Sequence, residues 1–540
     1  MKKHFAHALA MSLLAAAVHT AWAADPGSSA SADTPGADIV RFDIARFDVS
    51  GNTLLSAAQV EAAVSPFAGA GRDFGHVQQA LEALEAAYHA RGYKLVKVQL
   101  PEQELNGGVV RLLVQQTRIG KITVSGNRHF GAANVRRSVP ALREGESPRL
   151  DQVSAGLRLA NENPARQIQL KLQSAERDGQ ESVDARLEVR DQSPWRVSAN
   201  LDNSGSGPTG KTYAGVVLQH ANLWDRDHVA SVQYTTTAEE PGKVAVWGAG
   251  YHIPLYGLGD SVDLFASHSN IDSGSVSAGL FNLNVSGRGS VGGMRYNQVL
   301  ARRGEQADRD VRLVYGIDVK AFKNNVLFAG QNFGNDVTVR PLSLGMTVGL
   351  PVGGAAANLS LTLVRNVPGG SRGGADDFAR ARSGAAAHYT ILRFAGAYTR
   401  ALAGDWQTRA LVNGQLSGDA LVPGEQFGAG GGATVRGLDE RTLSSDTGVV
   451  ANAELYTPSL CASSRWQCRV LAFVDAAHGR RHHALPGELR RASLSSAGLG
   501  LRVSMGQSLN LQADFGHVLH DGDIPGAGSN KLHVRAGLSF

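Results

Sequence analysis

From Trp195 to Phe540 apolar and polar residues alternate in short runs. In WRVSANLD, Trp195, Val197, Ala199 and Leu201 fall on one side, and Arg196, Ser198, Asn200 and Asp202 on the other. LHVRAGLSF repeats the pattern, setting Leu532, Val534, Ala536, Leu538 and Phe540 against His533, Arg535, Gly537 and Ser539. KTYAGVVLQ, NLSLTLV, AGLGLRVS and LNLQADF lie between them. Runs of about ten residues with one apolar face predict the antiparallel strands of a transmembrane barrel. A soluble sandwich would bury the second face in a dry core, and Arg196, Arg502, Asp514 and Arg535 all fall on that face. A wet lumen accommodates those charges at little cost. About seventeen runs qualify, but a barrel whose chain enters and leaves on one side needs an even number. Val276–Asn284, the weakest, is therefore assigned to a loop, and about sixteen strands are expected across 193–540.

The first third has a different rhythm. VSGN occurs at Val49–Asn52 and again at Val124–Asn127. Each copy runs from a strand through a Gly-Asn turn into an apolar helix, then a second helix (Phe74–Arg91, Leu150–Asn163). Two alternating strands follow, Lys94–Leu100 and Val109–Gln115 in the first copy, Gln167–Gln173 and Val183–Val189 in the second. Residues 41–116 and 117–192 thus read as two copies of a small β-α-α-β-β module. An open sheet edge in such a module can add an extended peptide as a further strand. A spacer or dimerisation unit fits the same pattern equally well.

Composition narrows the setting. At 540 residues several domains are expected. Lys2 and Lys3, the apolar run Ala8–Val18 and Ala21-Trp22-Ala23 make residues 1–23 a secretory signal peptide, and 24–40 a flexible segment. No later run is long and apolar enough for a spanning helix. The net charge of +5 and pI near 9.2 are spread along the chain without a basic stripe, so no nucleic-acid partner is expected. Cys461 and Cys468 in CASSRWQC read as a local disulfide. A metal would need two more ligands there, and neither metal nor cofactor is expected.

Several motifs suggest chemistry that their context denies. SGSGPTGKT (Ser204–Thr212) spells a phosphate-binding loop. That loop needs a helix after it, and here TYAGVVLQH continues as a strand, so a hairpin is expected instead. Arg480-Arg481-His482-His483 reads as a solvated charge patch rather than a metal site, and Gly428–Gly432 is glycine-rich without a lysine for a phosphate. A barrel hydrolase would need Ser, His and an orienting acid converging. Neither His220 nor His252 is singled out, and the chain is not read as an enzyme.

What remains is a loop and a wall. FGAGGGATVRGLDER opens the long segment Phe427–Asp446, between the eleventh and twelfth expected strands. The thirteenth, RVLAFVDAAHG, turns Val470, Ala472 and Val474 to lipid and Phe473 and Asp475 to the lumen. A glycine-rich loop can fold into its own barrel, where Arg436 would need a carboxylate. Asp475 is the first candidate and Glu454 the second; spacing alone equally permits Arg436 free in an external loop.

Two VSGN modules, a barrel, ATVRGLDER, FVDAAHG and the terminal Phe540 together resemble the two-partner secretion transporters of the haemolysin-activator type, over residues 41–540. LDNSGSGPTGK is similar to that family's first hairpin. The resemblance implies two periplasmic POTRA (polypeptide-transport-associated) domains and a sixteen-stranded barrel in the outer membrane of a Gram-negative bacterium. It implies that the domains capture an unfolded partner exoprotein of the adhesin, haemolysin or contact-dependent toxin type. It also implies a loop–wall pair of Arg436, beside Gly437, with Asp475, beside Phe473, and insertion into lipid by the barrel-assembly machinery. Leu438 stands where the family usually has an aromatic, and Ala477 where it tends to have Gly. Some members plug the pore with an N-terminal helix, which the short polar stretch Ala24–Ile39 does not suggest. An outer-membrane insertase shares the loop motif and module type and is the alternative; a barrel hydrolase is a more distant one.

Overall fold

The structure is a computed structural model. It describes residues 40–177, 180–205, 209–270, 274–278, 281–285, 288–300, 309–323, 327–328, 331–332, 336–484, 487–524 and 528–540. The expected signal peptide, the 24–39 stretch and the middle of the SGSGPTGKT motif lie outside these residues.

In the first module, Val109–Gln116 lies between Arg46–Ser50 and Val96–Gln99 in a three-stranded sheet. Its pairing with Arg46–Ser50 is parallel, which requires a crossover, and helices Ala57–Val64 and Phe74–His89 supply it. The VSGN turn has a local cause. Gly51 adopts φ +79, which glycine reaches without a steric cost. The Asn52 carboxamide then receives the Leu55 N–H at 3.0 Å and donates to the Leu55 carbonyl at 2.8 Å. A short ribbon, Phe42–Ile44 against Gly69–Arg72, corrects the simple β-α-α-β-β reading; Gly69-Ala70-Gly71 carries no apolar alternation to announce it.

The second module repeats the plan. Gln180–Asp191 lies between Arg118–Ser125, parallel to it, and Arg166–Arg177, antiparallel. Helices Ala132–Arg137 and Leu150–Ala160 cover one face, and Phe130, Val135, Val153, Ile168 and Leu187 share the core. Asn127 donates to the Phe130 carbonyl at 2.8 Å. The last two strands outrun their expected bounds because their register continues past the apolar stretch to Arg177↔Gln180.

The remaining strands close into a barrel of sixteen among the described residues. Val337–Val339 and Pro341–Val352 both pair with Asp310–Phe322 and count as one strand broken at Arg340. The ring shuts where Asn530–Ser539 meets Trp195–Asp202, from Arg535↔Asp202 to Ser539↔Ser198. Val276–Asn284 is outside the wall, but it is not a plain loop. Gly274–Ala278 and Phe281–Val285 pair with each other as a separate antiparallel ribbon. Outward side chains are apolar and uncovered, Val474 at 55% and Leu499 at 62% exposed. Arg502 and Asp514 pair on the opposite face at 2.8 Å. Turns at the module end are short, such as 224–227 and 256–259, whereas 367–389 and 418–446 at the other end are long.

Candidate functional site

The segment 418–446 folds back against the inner wall. It is a hairpin, Phe427–Ala429 paired with Leu443–Ser445, whose tip carries Val435, Arg436 and Leu438, all buried. Its apolar residues Ala429, Val435, Leu438 and Leu443 join Val450, Ala477, Ala492 and Leu494 of the wall in one cluster. Leu438 and Ala477, the two departures from the resembled pattern, therefore share one cluster. A smaller side chain on the loop accompanies a larger one on the wall.

Arg436 is 3% exposed, and every nitrogen of its guanidinium is directed at a wall carboxylate. Nε donates to Asp475 Oδ2 at 2.8 Å and Nη2 to Oδ1 at 2.6 Å, the bidentate fork, while Nη1 donates to Glu454 Oε1 at 2.8 Å. Strand register explains the convergence, since Asn452↔Asp475 and Glu454↔Phe473 are cross-strand neighbours on the luminal face. The remaining valences are filled as well. Asp475 Oδ1 accepts from Asn452 at 2.8 Å and Glu454 Oε2 from the Tyr456 hydroxyl at 2.6 Å. The Phe473 ring lies under the guanidinium, 3.5 Å from its centroid to Cζ, a stacked cation–π contact. Burial works to lower the Arg436 pKa, but the Asp475 hydrogen bonds and the surrounding carboxylates outweigh it and raise it above its ordinary value. This arginine stays charged.

The approach is close enough to demand glycine. Gly437 has φ +97 and donates its N–H to His533 Nε2 at 3.0 Å. A Cβ on Gly516 would fall 2.5 Å from the Arg436 carbonyl carbon, so the wall strand Leu509–His520 carries no side chain at the point where the loop backbone comes nearest.

Two further anchors were not found by sequence reasoning. Glu425, 1% exposed, enters the hairpin and accepts from Lys320 Nζ at 2.7 Å and Arg393 Nη2 at 2.9 Å. Burial alone would raise its carboxyl; the two cations reverse that and hold it below its ordinary value. Asp446 leaves the hairpin fully buried and accepts from Arg382 Nη2 at 3.0 Å, Leu421 N at 3.0 Å and His482 N at 2.7 Å. Its carboxyl is likewise held low against burial, chiefly by Arg382. Nothing in the sequence links Glu425 to Lys320, 105 residues away.

The Arg480–His483 expectation needs correction. Arg481 and His482 brace the exit of the hairpin, while His483 stays exposed. Arg481 Nε donates to the Ser444 carbonyl at 2.9 Å, and His482 Nε2 lies 2.9 Å from the Ser417 carbonyl. Cys461 and Cys468 are bonded to each other in the turn after Thr447–Tyr456. The strands flanking SGSGPTGKT, Trp195–Asp202 and Tyr213–Leu223, pair antiparallel, and among the described residues no helix follows the motif to receive a phosphate. His252 pairs with Asp263 at 2.6 Å, and the His220 ring packs edge-on against Trp195.

The model of the haemolysin secretion/activation proteins ShlB/FhaC/HecB matches residues 181–503. The chain belongs to this family. The ShlB-type POTRA domain matches residues 42–117 of this ShlB/FhaC/HecB protein. It is 24% identical over 467 residues to outer membrane transporter CdiB of Dickeya dadantii (strain 3937), spanning 84% of this chain and 78% of that one. The CdiB of Escherichia coli is 27% identical over 197 residues, 36% of this chain and 32% of its own. The solved structure of CdiB from Escherichia coli has a TM-score of 0.73 at 22% identity, covering 96% of this chain and 93% of that one. BamA from Haemophilus ducreyi lacking POTRA domains 1–3 reaches 0.51 at 14% identity, covering 92% and 100%. At these identities the structural likeness is one of fold. The protein is an outer-membrane transporter of the two-partner secretion kind, with periplasmic POTRA domains and a barrel. Transporters of this kind serve a partner exoprotein.

Proposed function

We propose that this transporter receives its exoprotein unfolded in the periplasm, by strand addition to its POTRA modules, and passes it through a barrel whose resting lumen is narrowed by the docked 418–446 hairpin. The observation that carries the reading is the buried Arg436–Asp475–Glu454 cluster, which holds a loop inside a pore. Strand addition draws support from Arg166–Arg177. Asn161 takes the outward N–H and C=O of Ile168 at 2.6 and 3.0 Å, so strand alternation turns those of Leu170, Leu172 and Ser174 outward too. Such an edge offers main-chain hydrogen bonds to an extended client. The opposite edge is closed to one, because Glu144 accepts from Ile122 N and Arg136 donates to its carbonyl.

Export in this scheme uses no nucleotide, and net movement is driven by binding and by folding of the client outside. Residues 1–23 direct secretion, 24–40 lead into modules at 41–116 and 117–192, and the barrel-assembly machinery inserts 193–540. The test is the distribution of a candidate exoprotein between medium and periplasm, with and without this protein. Client in the medium only when the chain is present supports the reading. Unchanged secretion with depletion of other outer-membrane barrels would favour an insertase.

A further inference from the structure

The second module is bolted to the barrel rim by a polar cluster to which the pore site makes no appeal. Arg166 opens the strand Arg166–Arg177, and its side chain is 0% exposed; that of Asp227, in the turn between Tyr213–Leu223 and His228–Thr237, is 2% exposed. The two meet as a fork, Nη1 to Oδ1 at 2.9 Å and Nη2 to Oδ2 at 2.8 Å. Asn134 Oδ1 accepts from Arg166 at 2.8 Å, and the Tyr256 hydroxyl donates to Asp227 Oδ2 at 2.7 Å. Phe130 lies beside the guanidinium at 5.0 Å. Module and barrel therefore contribute alternately to one network.

The turn that receives Arg166 is strained. Trp224, Asp225 and Asp227 have φ of +55, +52 and +63, a region that non-glycine residues seldom occupy and that persists where surroundings over-determine it. Asp225 is held by Asn134 Nδ2 at 3.1 Å and Gly131 N at 3.3 Å, both from the module. A second tie joins Glu162 of the module to Arg312 of the strand Asp310–Phe322 at 2.6 Å. Two ties on separated strands oppose rotation about either one. Arg166 also begins the strand whose outer edge faces away at Leu170–Ser174.

We infer that Arg166 and Asp227 are positioning residues for export, fixing the client-binding edge of the second module at a set angle to the barrel mouth. A buried ion pair is weak as a source of stability, since apolar residues of similar volume often serve better, but it is directional. Here the direction sets where a client strand laid along Leu170–Ser174 ends, at the rim beside Arg166. The inference rests on the strand-addition reading above.

The test is a covalent bypass. A Cβ built on Gly259, in a barrel turn, lies 3.8 Å from Ala155 Cβ on the module, close to the separation of about 3.8 Å usual in disulfides; Gly259 has φ +77, so the unaltered protein carrying the cysteine pair is the control for strain in that turn. Full-length Arg166→Gln and Asp227→Asn are compared with the unaltered protein, each with and without the pair Ala155→Cys and Gly259→Cys. Readouts are exoprotein in the medium, heat-modifiable barrel in the outer membrane, and single-channel conductance. Arg166→Gln is expected to lower export several-fold with barrel level and conductance unchanged. Closing the disulfide restores export, and a reductant abolishes the rescue. Undiminished export by both variants overturns the inference, and so does a loss that the closed disulfide fails to restore. Should Arg166→Gln not insert, Tyr256→Phe removes one hydroxyl and no charge, and is expected to lower export in the same direction; normal export by it then overturns the inference. A failure of the unaltered protein to export would instead strike down the transport reading, and this inference with it.

Discussion

Replacing Arg436 by Ala removes three side-chain hydrogen bonds at 2.6–2.8 Å and the guanidinium stacked on Phe473. It leaves two carboxylates, Asp475 at 0% and Glu454 at 7% exposure, facing each other across the vacated space. Breaking a buried pair from one side costs about 3–5 kcal/mol, because the surviving charge stays desolvated. Some relief is built in. Asp475 keeps Asn452 and the residue 436 N–H, and Glu454 keeps Tyr456, which favours the low end of that range. At about 1.4 kcal/mol per factor of ten, a 3 kcal/mol loss shifts the docked-to-free ratio of the hairpin roughly a hundredfold. Glu425 and Asp446 still hold its base, so the tip is expected to swing while the root stays in place. The assay is single-channel conductance in planar bilayers, with secretion in parallel and heat-modifiability to show that the barrel inserts. The expected result is a larger, noisier conductance and reduced secretion at equal barrel level. Conductance and export both at the unaltered level would refute the loop–wall argument, since a hundredfold shift cannot pass unseen in both.

Other outcomes follow from the same geometry. Glu425→Gln leaves Lys320 and Arg393 near a neutral amide at the hairpin's entrance, and combined with Arg436→Ala it should raise conductance beyond either single change. The folded-state carboxyls of Asp446 and Glu425 lie below their ordinary values, so the docking they provide is complete above about pH 4–4.5 and fades as pH falls through the docked values. Conductance should accordingly be flat from pH 8 to 5 and rise only below about pH 4; a midpoint near neutrality would contradict this. Ser174→Pro removes an outward N–H from the module edge without touching the ladder to Gln180–Asp191, and should weaken client binding in a pull-down while the barrel inserts normally. Cys461→Ser with Cys468→Ser opens a loop with a separation of seven residues, and should cost about 2 kcal/mol of thermal resistance with little change in export.

How much of this was legible depended on whether the signal was local. Alternation in WRVSANLD and LHVRAGLSF is set by lipid on one side and lumen on the other, so the wall could be read from single strands. Pairing of the ring is non-local, yet consecutive strands pair with their neighbours, and the count followed. Val276–Asn284 stands outside the wall as expected, but its strand period pairs it into a ribbon of its own rather than a plain loop. For Arg436, spacing left a free arginine open, and resemblance directed it to Asp475; the wall register of Asn452, Glu454 and Asp475 is what brings the groups together. Glu425, Asp446 and Arg166 were invisible for a different reason. Each is a common charged residue in a polar stretch, and its partner lies on an element whose proximity only the folded ring creates. Arg481 and His482 were misjudged on the same ground, since a basic run looks solvated until the Ser444 and Ser417 carbonyls arrive beside it.

His533, which accepts the Gly437 N–H, sits on Asn530–Ser539, the strand that also shuts the ring against Trp195–Asp202. Seating the hairpin and completing the cylinder thus draw on one strand. In a sheet still open at that seam, the hairpin can settle sideways onto Asn452, Glu454 and Asp475, with the last strand arriving over Gly437. Once the cylinder is shut, the same tip has only the mouth to enter by, past its own rooted base.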